Sequence, residues 1–492
     1  MPTAQLRLGF LLGLRAIFTG TKNMSKLGRV SNSVGSAEVG LDQRAPHWPS
    51  SVAPQSSPAG CPGIARPLGA RCRTAVEVIA LAFALGSAAA GCHGPAKDVK
   101  SPSEPHVLWD FPTDKRPGSV LVAPNGTIYL TVGWPPEDSG GMLYTLNPSG
   151  AKLWECDLGT FAPGNSKPAL AADGSVYVHA TEWTGGSINF GRERLLKVSS
   201  QCRQLWHYDP EPSGSLVLGD LSSPVVGQDD TVYLGDFSGW VSALSSQGAV
   251  LWSKVASAAD TQSIVTDPVL RTDGTIYVSD LFHLVAMAAA DGAIKWTFEP
   301  PGAQSDAKQP AIRLDGTIYL SESNMLNAIR PADGSVLWSA TVIPDATFTT
   351  ERIGGAPAVA GDGTIYVATD YDRLYSISPS GVVNWCLRPD TPGAYSCSST
   401  NYELETLFSH SPVVAPDGTV YFRFHPAGNP GSVWAISPDG TPLWSASAPD
   451  DETAIAVGWF PQSAVASDGT LYMPYVDMGM ADAPRFGLRA YR

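Results

Sequence analysis

Tryptophan recurs at one position of a repeated block, and an indole is well suited to stacking on a sugar ring or a quinone. Each of seven tryptophans stands four residues after a turn residue, and one more stands ahead of the first full repeat; the eight are Trp109, Trp154, Trp206, Trp252, Trp296, Trp338, Trp385 and Trp444. A ligand site needs only one or two aromatic residues. Because the position recurs in every repeat, we predict that these indoles pack between neighbouring repeats.

An acidic turn precedes each tryptophan block and raises the question of calcium binding. Asp-Gly-Thr-Ile-Tyr or a close variant occurs eight times, ending at Tyr129, Tyr177, Tyr233, Tyr277, Tyr319, Tyr366, Tyr421 and Tyr472. The alternating run of acidic residues that typifies a calcium loop does not occur in the sequence. Asp-Gly between apolar β-formers predicts a tight hairpin turn instead.

The seven cysteines indicate disulfides more than a metal site. Cys386 and Cys397 fall in one loop and are expected to pair, which leaves Cys156 and Cys202 to pair across neighbouring repeats. The C-x-x-C spacing typical of zinc sites does not occur.

The N-terminal part has the layout of an export signal. We interpret residues 1–75 as disordered or as an over-long start, because no helical or strand periodicity appears there. Residues 76–92 combine an apolar run with Ala89-Ala90-Gly91-Cys92, which resembles a bacterial lipobox with Cys92 as the lipidated residue. An ordinary signal peptide with Cys92 as a free thiol is the alternative. Residues 93–106 are expected to form a tether.

The repeat predicts an all-β fold. Each repeat holds four short strands in about 42–56 residues, the size of one propeller blade. The last repeat lacks its tryptophan strand, and the missing strand stands at the other end, at Val107–Phe111. We therefore predict that residues 107–492 form an eight-bladed β-propeller of four-stranded antiparallel blades, closed by an N-terminal strand that completes the last blade.

Charge argues against a nucleic-acid partner. Residues 101–492 hold 21 basic and 42 acidic side chains, a net charge of −21. A body this acidic repels phosphate backbones.

The motif pair P-x-V-x-x-D-G-T-I-Y-V and L-Y-x-I-x-P-x-G-x-x-x-W resembles the PQQ-binding-like propeller repeat over residues 107–492. Two groups carry that repeat: quinoprotein dehydrogenases, which hold pyrroloquinoline quinone (PQQ) and calcium, and lipoproteins similar to BamB, which are non-enzymatic scaffolds. The chain departs from the enzyme pattern. Its turns lack the Thr-Gly of the cofactor-docking motif, it has no adjacent cysteines, and the enzymes' calcium ligands find no match.

The connections between the second and third strands, and between successive blades, vary in length, and the long ones carry aromatic residues. Both kinds lie on the same face of a propeller, and long loops on a rigid scaffold often bind ligands. The candidate binding residues on this face are Trp134, Phe161, Trp183, Tyr395, Tyr402, His425 and Trp459. The alternative is that these loops only cap the channel and bury their own aromatic side chains.

These patterns favour a non-enzymatic scaffold, lipid-anchored in the bacterial cell envelope, that binds an envelope protein or a glycan and needs no cofactor. The alternative is a PQQ-dependent dehydrogenase that oxidises alcohols or sugars with PQQ and calcium. Catalytic and metal-binding residues cannot be assigned from the sequence, because its histidines are scattered and no nucleophile motif occurs.

Overall fold

Every regular element in the described part of the chain is a β-strand. The computed structural model describes residues 103–133, 140–183, 191–210, 222–236, 239–256, 266–280, 282–300, 308–343, 351–371, 373–391, 394–395, 411–424, 431–447, 462–477 and 485–492. The predicted N-terminal extension, signal peptide and Cys92 lie outside these residues. Within them, no helix has the length and apolar character needed to cross a membrane.

The first eighteen strands cover residues 107–298. They are β1 (Val107–Thr113), β2 (Pro117–Val122), β3 (Ile128–Val132), β4 (Met142–Leu146), β5 (Lys152–Asp157), β6 (Phe161–Ala162), β7 (Ala169–Leu170), β8 (Val176–Trp183), β9 (Gly191–Val198), β10 (Gln204–Tyr208), β11 (Val225–Val226), β12 (Val232–Gly235), β13 (Trp240–Leu244), β14 (Val250–Val255), β15 (Val269–Leu270), β16 (Thr275–Asp280), β17 (His283–Ala288) and β18 (Ile294–Phe298).

The remaining strands cover residues 311–491. They are β19 (Ala311–Ile312), β20 (Ile318–Glu322), β21 (Met325–Ile329), β22 (Val336–Thr341), β23 (Ala358–Val359), β24 (Ile365–Ala368), β25 (Leu374–Ile377), β26 (Val383–Leu387), β27 (Pro389–Thr391), β28 (Ala394–Tyr395), β29 (Val413–Val414), β30 (Val420–Phe424), β31 (Ser432–Ile436), β32 (Pro442–Ser447), β33 (Ala464–Val465), β34 (Leu471–Asp477) and β35 (Arg485–Tyr491).

These strands form the predicted eight-bladed propeller of antiparallel four-stranded blades. Blade 1 is β2–β5, blade 3 is β11–β14, blade 4 is β15–β18, blade 5 is β19–β22, blade 6 is β23–β26 and blade 7 is β29–β32. Blade 2 is β7–β10 and gains a short fifth strand, β6, beside β8. Blade 8 has the order β1-β35-β34-β33. Strands β27 and β28 form a separate small hairpin.

The Asp-Gly blocks form the turns between the first and second strands of the blades. In blade 4 the Asp273 carboxylate accepts the Thr275 N–H at 2.9 Å, and the Gly274 N–H donates to the Arg271 carbonyl at 3.1 Å. Gly274 has a φ of 75°, a region that glycine enters without a steric penalty. Here the carboxylate caps the turn, as the hairpin interpretation predicts.

A tryptophan of each outer strand contacts the next blade, as blade 4 shows. The Trp296 ring lies 5.7 Å from the Tyr277 ring of its own blade, and its Nε1–H donates to the Pro331 carbonyl of blade 5 at 3.0 Å. A Cβ on Gly334 in that turn would come within 2.7 Å of the indole. The same bond to the next blade is made by Trp109, Trp206, Trp252, Trp338 and Trp385.

The N-terminal strand closes the ring, as predicted. Strand β1 pairs antiparallel with β35, and Trp109 faces Ala490. The Asp110 carboxylate accepts hydrogen bonds from the Arg489 guanidinium at 2.7 Å and from the Tyr475 hydroxyl at 2.7 Å. Burial and the neighbouring Asp110 carboxylate raise the pKa of Tyr475 above its ordinary range. The two ends of the sequence are therefore joined by backbone pairing and by a charged cluster.

One boundary between blades uses a disulfide. Cys202 occupies the turn position that is glycine in the six other complete repeats, with a φ of 58°, and it is bonded to Cys156 on β5 of blade 1. Cys386 is also disulfide-bonded, and Cys397, its predicted partner, lies outside the described residues. The bridge of Cys202 joins blades 1 and 2 at the turn where the other blades place a glycine beside an indole.

Replacing Asp110 with Ala should weaken the closure. The variant leaves the partly buried Arg489 and Tyr475 without their shared acceptor, so we expect a loss of about 1–3 kcal/mol in the free energy of unfolding, measured with urea. Glu155→Ala is the control, because its ion pair with Lys152 is solvent-exposed and its loss should leave the free energy of unfolding close to that of wild type. Equal effects of the two substitutions would contradict the role given to Asp110.

Two double variants distinguish the stability contributed by the Cys156–Cys202 disulfide from the cost of the positive φ at Cys202. Cys156→Ser with Cys202→Ser should lose about 2–4 kcal/mol of stability relative to the oxidised protein. Cys156→Ser with Cys202→Gly should recover about 1 kcal/mol of that loss, because glycine tolerates the positive φ. Urea unfolding without reductant measures both, and identical stabilities would show that the left-handed backbone costs nothing here.

Candidate functional site

The predicted binding face is only partly within the described residues. Trp134, Tyr402, His425 and Trp459 lie outside them. Trp183 ends β8 and Tyr395 ends β28, with only their backbones described. Phe161 alone has a described side chain, and it is buried, with 6% of its surface exposed. Phe161 is therefore packed inside the protein beneath the loop-rich face, and its side chain is not exposed for contact with a ligand.

One arm of the loop-rich face is formed by the longest strand pair among the described blades. Strands β8 and β9 have eight residues each, whereas the matching strands β3 and β4 of blade 1 have five. Their paired register runs without interruption from Val176↔Val198 to Trp183↔Gly191. At about 3.3 Å per residue, the arm projects roughly 10 Å further than the matching strands of blade 1 and about 3 Å further than β34 and β35 of blade 8. This arm carries Trp183 at its outer end.

Charged and aromatic contacts hold the arm in place. The Arg194 guanidinium lies 4.4 Å from the centre of the Phe161 ring and donates to both carboxylate oxygens of Asp209, at 2.5 and 2.8 Å. Arg192 adds a third bond to Asp209 at 2.6 Å. The hydrogen bonds from Arg194, followed by those from Arg192, hold the pKa of Asp209 at about 2. The arm is thus braced by the strand that follows it, β10, and by β6.

A ring of side chains marks the channel on the same face. The inner strands of neighbouring blades contact one another around the channel. In each blade, one residue of the inner strand pairs with the tyrosine that ends the Asp-Gly block. The residue two positions earlier in the sequence lies at the channel. We call these eight residues the channel ring: Ser119, Lys167, Ser223, Asp267, Gln309, Ala356, Ser411 and Gln462.

Sequence reasoning missed this ring, although a signal existed. In six repeats the ring residue directly precedes a proline, as in Lys167-Pro168 and Asp267-Pro268. The side chain at this position varies between repeats while the proline stays. A position that changes inside an otherwise constant block is where a repeat protein places individual chemistry.

Hydrogen bonds connect the ring from blade to blade. The Lys167 N–H donates to the Ser223 hydroxyl at 2.9 Å, and the Ser223 N–H donates to the Asp267 carboxylate at 2.5 Å. The Gln462 N–H donates to the Ser119 hydroxyl at 3.0 Å across the closure between blades 8 and 1. Each side chain satisfies the backbone of the preceding blade, so the ring links neighbouring blades at the channel.

Two ring side chains meet across the channel. The Gln462 amide nitrogen Nε2 lies 3.5 Å from the Asp267 oxygen Oδ2, although blades 8 and 4 are diametrically opposite. Burial raises the pKa of Asp267, against the opposing influence of its hydrogen bonds and of Lys167. Burial also lowers the pKa of Lys167. Polar side chains therefore approach one another across the channel at this level.

The channel ring carries one carboxylate, that of Asp267, and one cationic side chain, that of Lys167. Calcium takes six to eight oxygen ligands, mostly carboxylates and carbonyls. No cluster of three or more His, Cys, Asp or Glu side chains suited to a metal occurs in the described part of the chain. PQQ carries three carboxylates. At the described channel ring the one cation is Lys167, which lies near the Asp267 carboxylate.

A buried histidine joins blades 2 and 3. His179 Nδ1 lies 2.8 Å from the Ser222 carbonyl, and Nε2 lies 3.6 Å from the Glu193 carboxylate. Both His179 and Glu193 are buried. The Ser222 carbonyl can only accept, so Nδ1 donates its proton to it, and this hydrogen bond links blades 2 and 3 in the protein interior.

The different environments of Asp267 in the channel ring and of Asp315 in the first turn of blade 5 predict opposite pH responses. The folded pKa of Asp267 is raised, so its ionisation opposes folding as the pH rises above about 4. Asp267→Asn should therefore gain stability relative to wild type between pH 4 and pH 7. Asp315 has a lowered pKa through its hydrogen bond from the Thr317 N–H, so the stability that it contributes is present above about pH 4 and is lost as the pH falls below 4. Asp315→Asn should therefore be less stable than wild type above pH 4, by a difference that shrinks below pH 4. Thermal unfolding from acid pH to pH 7 measures both variants, and a loss of stability in Asp267→Asn above pH 4 would refute the environment given to Asp267.

Comparison with known proteins gives a family and a fold. A family model described as outer membrane protein assembly factor BamB matches residues 100–281, 261–353 and 347–481. BamB from Moraxella catarrhalis is similar in structure, with a TM-score of 0.54 and 12% identity over 79% of this chain and 98% of that chain. Quinohemoprotein alcohol dehydrogenase ADHIIG from Pseudomonas putida HK5 has a TM-score of 0.51 and 13% identity over 80% and 78%.

None of the curated protein sequences matches the chain. The two solved structures share the propeller fold, and at these identities they show the fold alone. The family matches together span most of the sequence, from residue 100 to residue 481. The chain belongs to the BamB family of PQQ-like β-propeller proteins.

Proposed function

We propose that this protein is an exported, non-enzymatic scaffold of the bacterial cell envelope that binds an envelope protein through the loop-rich face of its propeller. The observation that carries the proposal is the match of residues 100–481 to a family described as an outer membrane assembly factor. The propeller supports it physically, because its tight-turn face is used for contacts between blades while its other face carries the long connections.

Anchoring by a lipid on Cys92 completes the proposal. The lipobox-like residues Ala89-Ala90-Gly91-Cys92 support it, and Cys92 stands eleven residues before Ser103. Ser103 lies on the outer edge of blade 7, where it bridges to Trp444. An extended tether of this length spans at most about 40 Å. The propeller would then stay close to the membrane surface with its loop-rich face free to bind.

The arm of β8 and β9 is the contact surface that we assign to the partner. Its strands are paired throughout, and Arg194, Asp209 and Phe161 fix its base. A rigid projecting element loses little conformational entropy on binding, which favours affinity. Trp183 at its end is the type of residue that often dominates binding energy at protein interfaces.

Co-purification tests the proposal directly. The detergent-solubilised full chain, cross-linked in its own cells, should co-purify with one envelope protein. Trp183→Ala should reduce the recovered partner about tenfold or more, as expected for a dominant interface residue. Leu153→Ala on the outer strand of blade 1 is the matched control and should recover the partner as well as wild type does.

Other outcomes separate the alternatives. Retention on polysaccharide resin that is lost in both Trp134→Ala and Trp183→Ala, without a protein partner, would indicate glycan binding. PQQ absorbance and dye-linked oxidation of alcohols or sugars after adding PQQ and Ca²⁺ would indicate a dehydrogenase. Either result without a co-purified protein would overturn the scaffold proposal. Mass spectrometry of the mature N-terminus would separately test lipidation at Cys92.

A further inference from the structure

The outer strand of each blade lies at one edge of its sheet in the described structure. These strands are β1, β5, β10, β14, β18, β22, β26 and β32, each at one end of its sheet. An edge strand presents unpaired backbone N–H and C=O groups, and proteins usually protect such edges with charged residues, proline or a covering segment.

Most outer edges of this propeller carry such protection. Charged side chains occur in four of them: β1, β5, β14 and β18. Strand β10 instead exposes the polar Gln204 and His207. Strand β26 is mostly half-buried and contains the disulfide-bonded Cys386.

The edge of β32 is protected in a different way, because part of the chain lies on it. The Ser103 N–H donates to the Leu443 carbonyl at 3.1 Å, and the Ser445 N–H donates to the Ser103 carbonyl at 3.3 Å. Ser103 thereby forms a parallel bridge with Trp444. The outer edge of a blade therefore accepts backbone hydrogen bonds from a residue that is not in one of its own four strands.

Strand β22 of blade 5 combines exposure with the absence of these protections. Its sequence, Val336–Thr341, contains no charged residue and no proline. Val336 and Leu337 are 43% and 44% exposed, and no described residue pairs with the outer side of the strand. Leu314, in the first turn of the same blade, is 96% exposed. Uncharged β-prone segments of this length readily pair with another strand.

We propose that the edge of β22 binds an extended strand of a partner polypeptide by adding it to the sheet of blade 5. Backbone hydrogen bonds would supply the affinity, and Val336 and Leu337 would favour aliphatic side chains at alternate positions of the partner. The segment at Ser103 shows this mode of pairing within the chain itself. The net charge of −21 on residues 101–492 favours a strand flanked by basic residues. This surface is separate from the loop-rich face, so the inference goes beyond the proposed function.

A synthetic strand tests the inference on the purified full chain. The probe is a fluorescein-labelled peptide of alternating valine and threonine with a lysine at each end, and binding is measured by fluorescence anisotropy. Wild type should bind it, and Leu337→Lys should weaken the Kd at least tenfold by placing a charge on the edge. Val336→Lys should have the same effect, which guards against a folding defect of one variant.

Two controls make the test specific. Leu153→Lys changes the equivalent exposed leucine of β5, an edge that is already charged, and should leave the Kd within about twofold of wild type. A peptide with proline at alternate positions should not bind, because it lacks the N–H groups needed for pairing. Equal weakening by Leu337→Lys and Leu153→Lys, or no binding by wild type, would overturn the inference. Self-association of wild type that Leu337→Lys abolishes, without peptide binding, would assign the edge to a second copy of the chain.

Discussion

The contact of an outer-strand tryptophan with the turn of the next blade is the interaction on which the ring depends. The Tyr–Trp ring centroids within a blade are 5.6 Å apart at the closure and 5.7 Å apart in blade 4. In six blades the indole also donates to the next blade, and the facing glycine has no room for a Cβ. Each blade contacts the next through such a tryptophan, so a propeller that did not close would lack the contact between its last and first blades. Trp109 on the N-terminal strand makes that contact between blades 8 and 1.

This constraint also divides the surface by role. The tight-turn face is occupied by contacts between blades, so the variable connections of the other face are free to differ. Individual chemistry appears there and at the channel ring, where Lys167, Asp267 and Gln462 stand at equivalent positions with different side chains. Desolvation of Lys167 and Asp267 disfavours both charges, so the pair is a poor source of stability. The channel ring contributes to the tertiary structure through Ser119 and Ser223, whose hydroxyls accept backbone N–H groups of the preceding blades.

The fold was predictable because its determinants are local and repeated. Asp-Gly turns such as Asp273-Gly274 and the four-residue spacing of Gly334 and Trp338 specify each blade without reference to its neighbours. The missing final strand then predicted the closure. The site was less accessible from sequence, because the Gln462–Asp267 contact joins residues that only the curvature of the ring brings together. Phe161 was assigned to the binding face from its loop position, whereas β6 buries it under Arg194.

Native-state hydrogen exchange of the closing strand tests the central claim most directly. If β1 is an integral strand of blade 8, its amides should exchange only through the cooperative opening that also exposes β34 and β35, with the same free energy. The inner amides of blade 5 provide the reference within the same protein. Fast exchange throughout Val107–Thr113, while β34 and β35 remain protected, would show that the ring is not closed by its N-terminal strand.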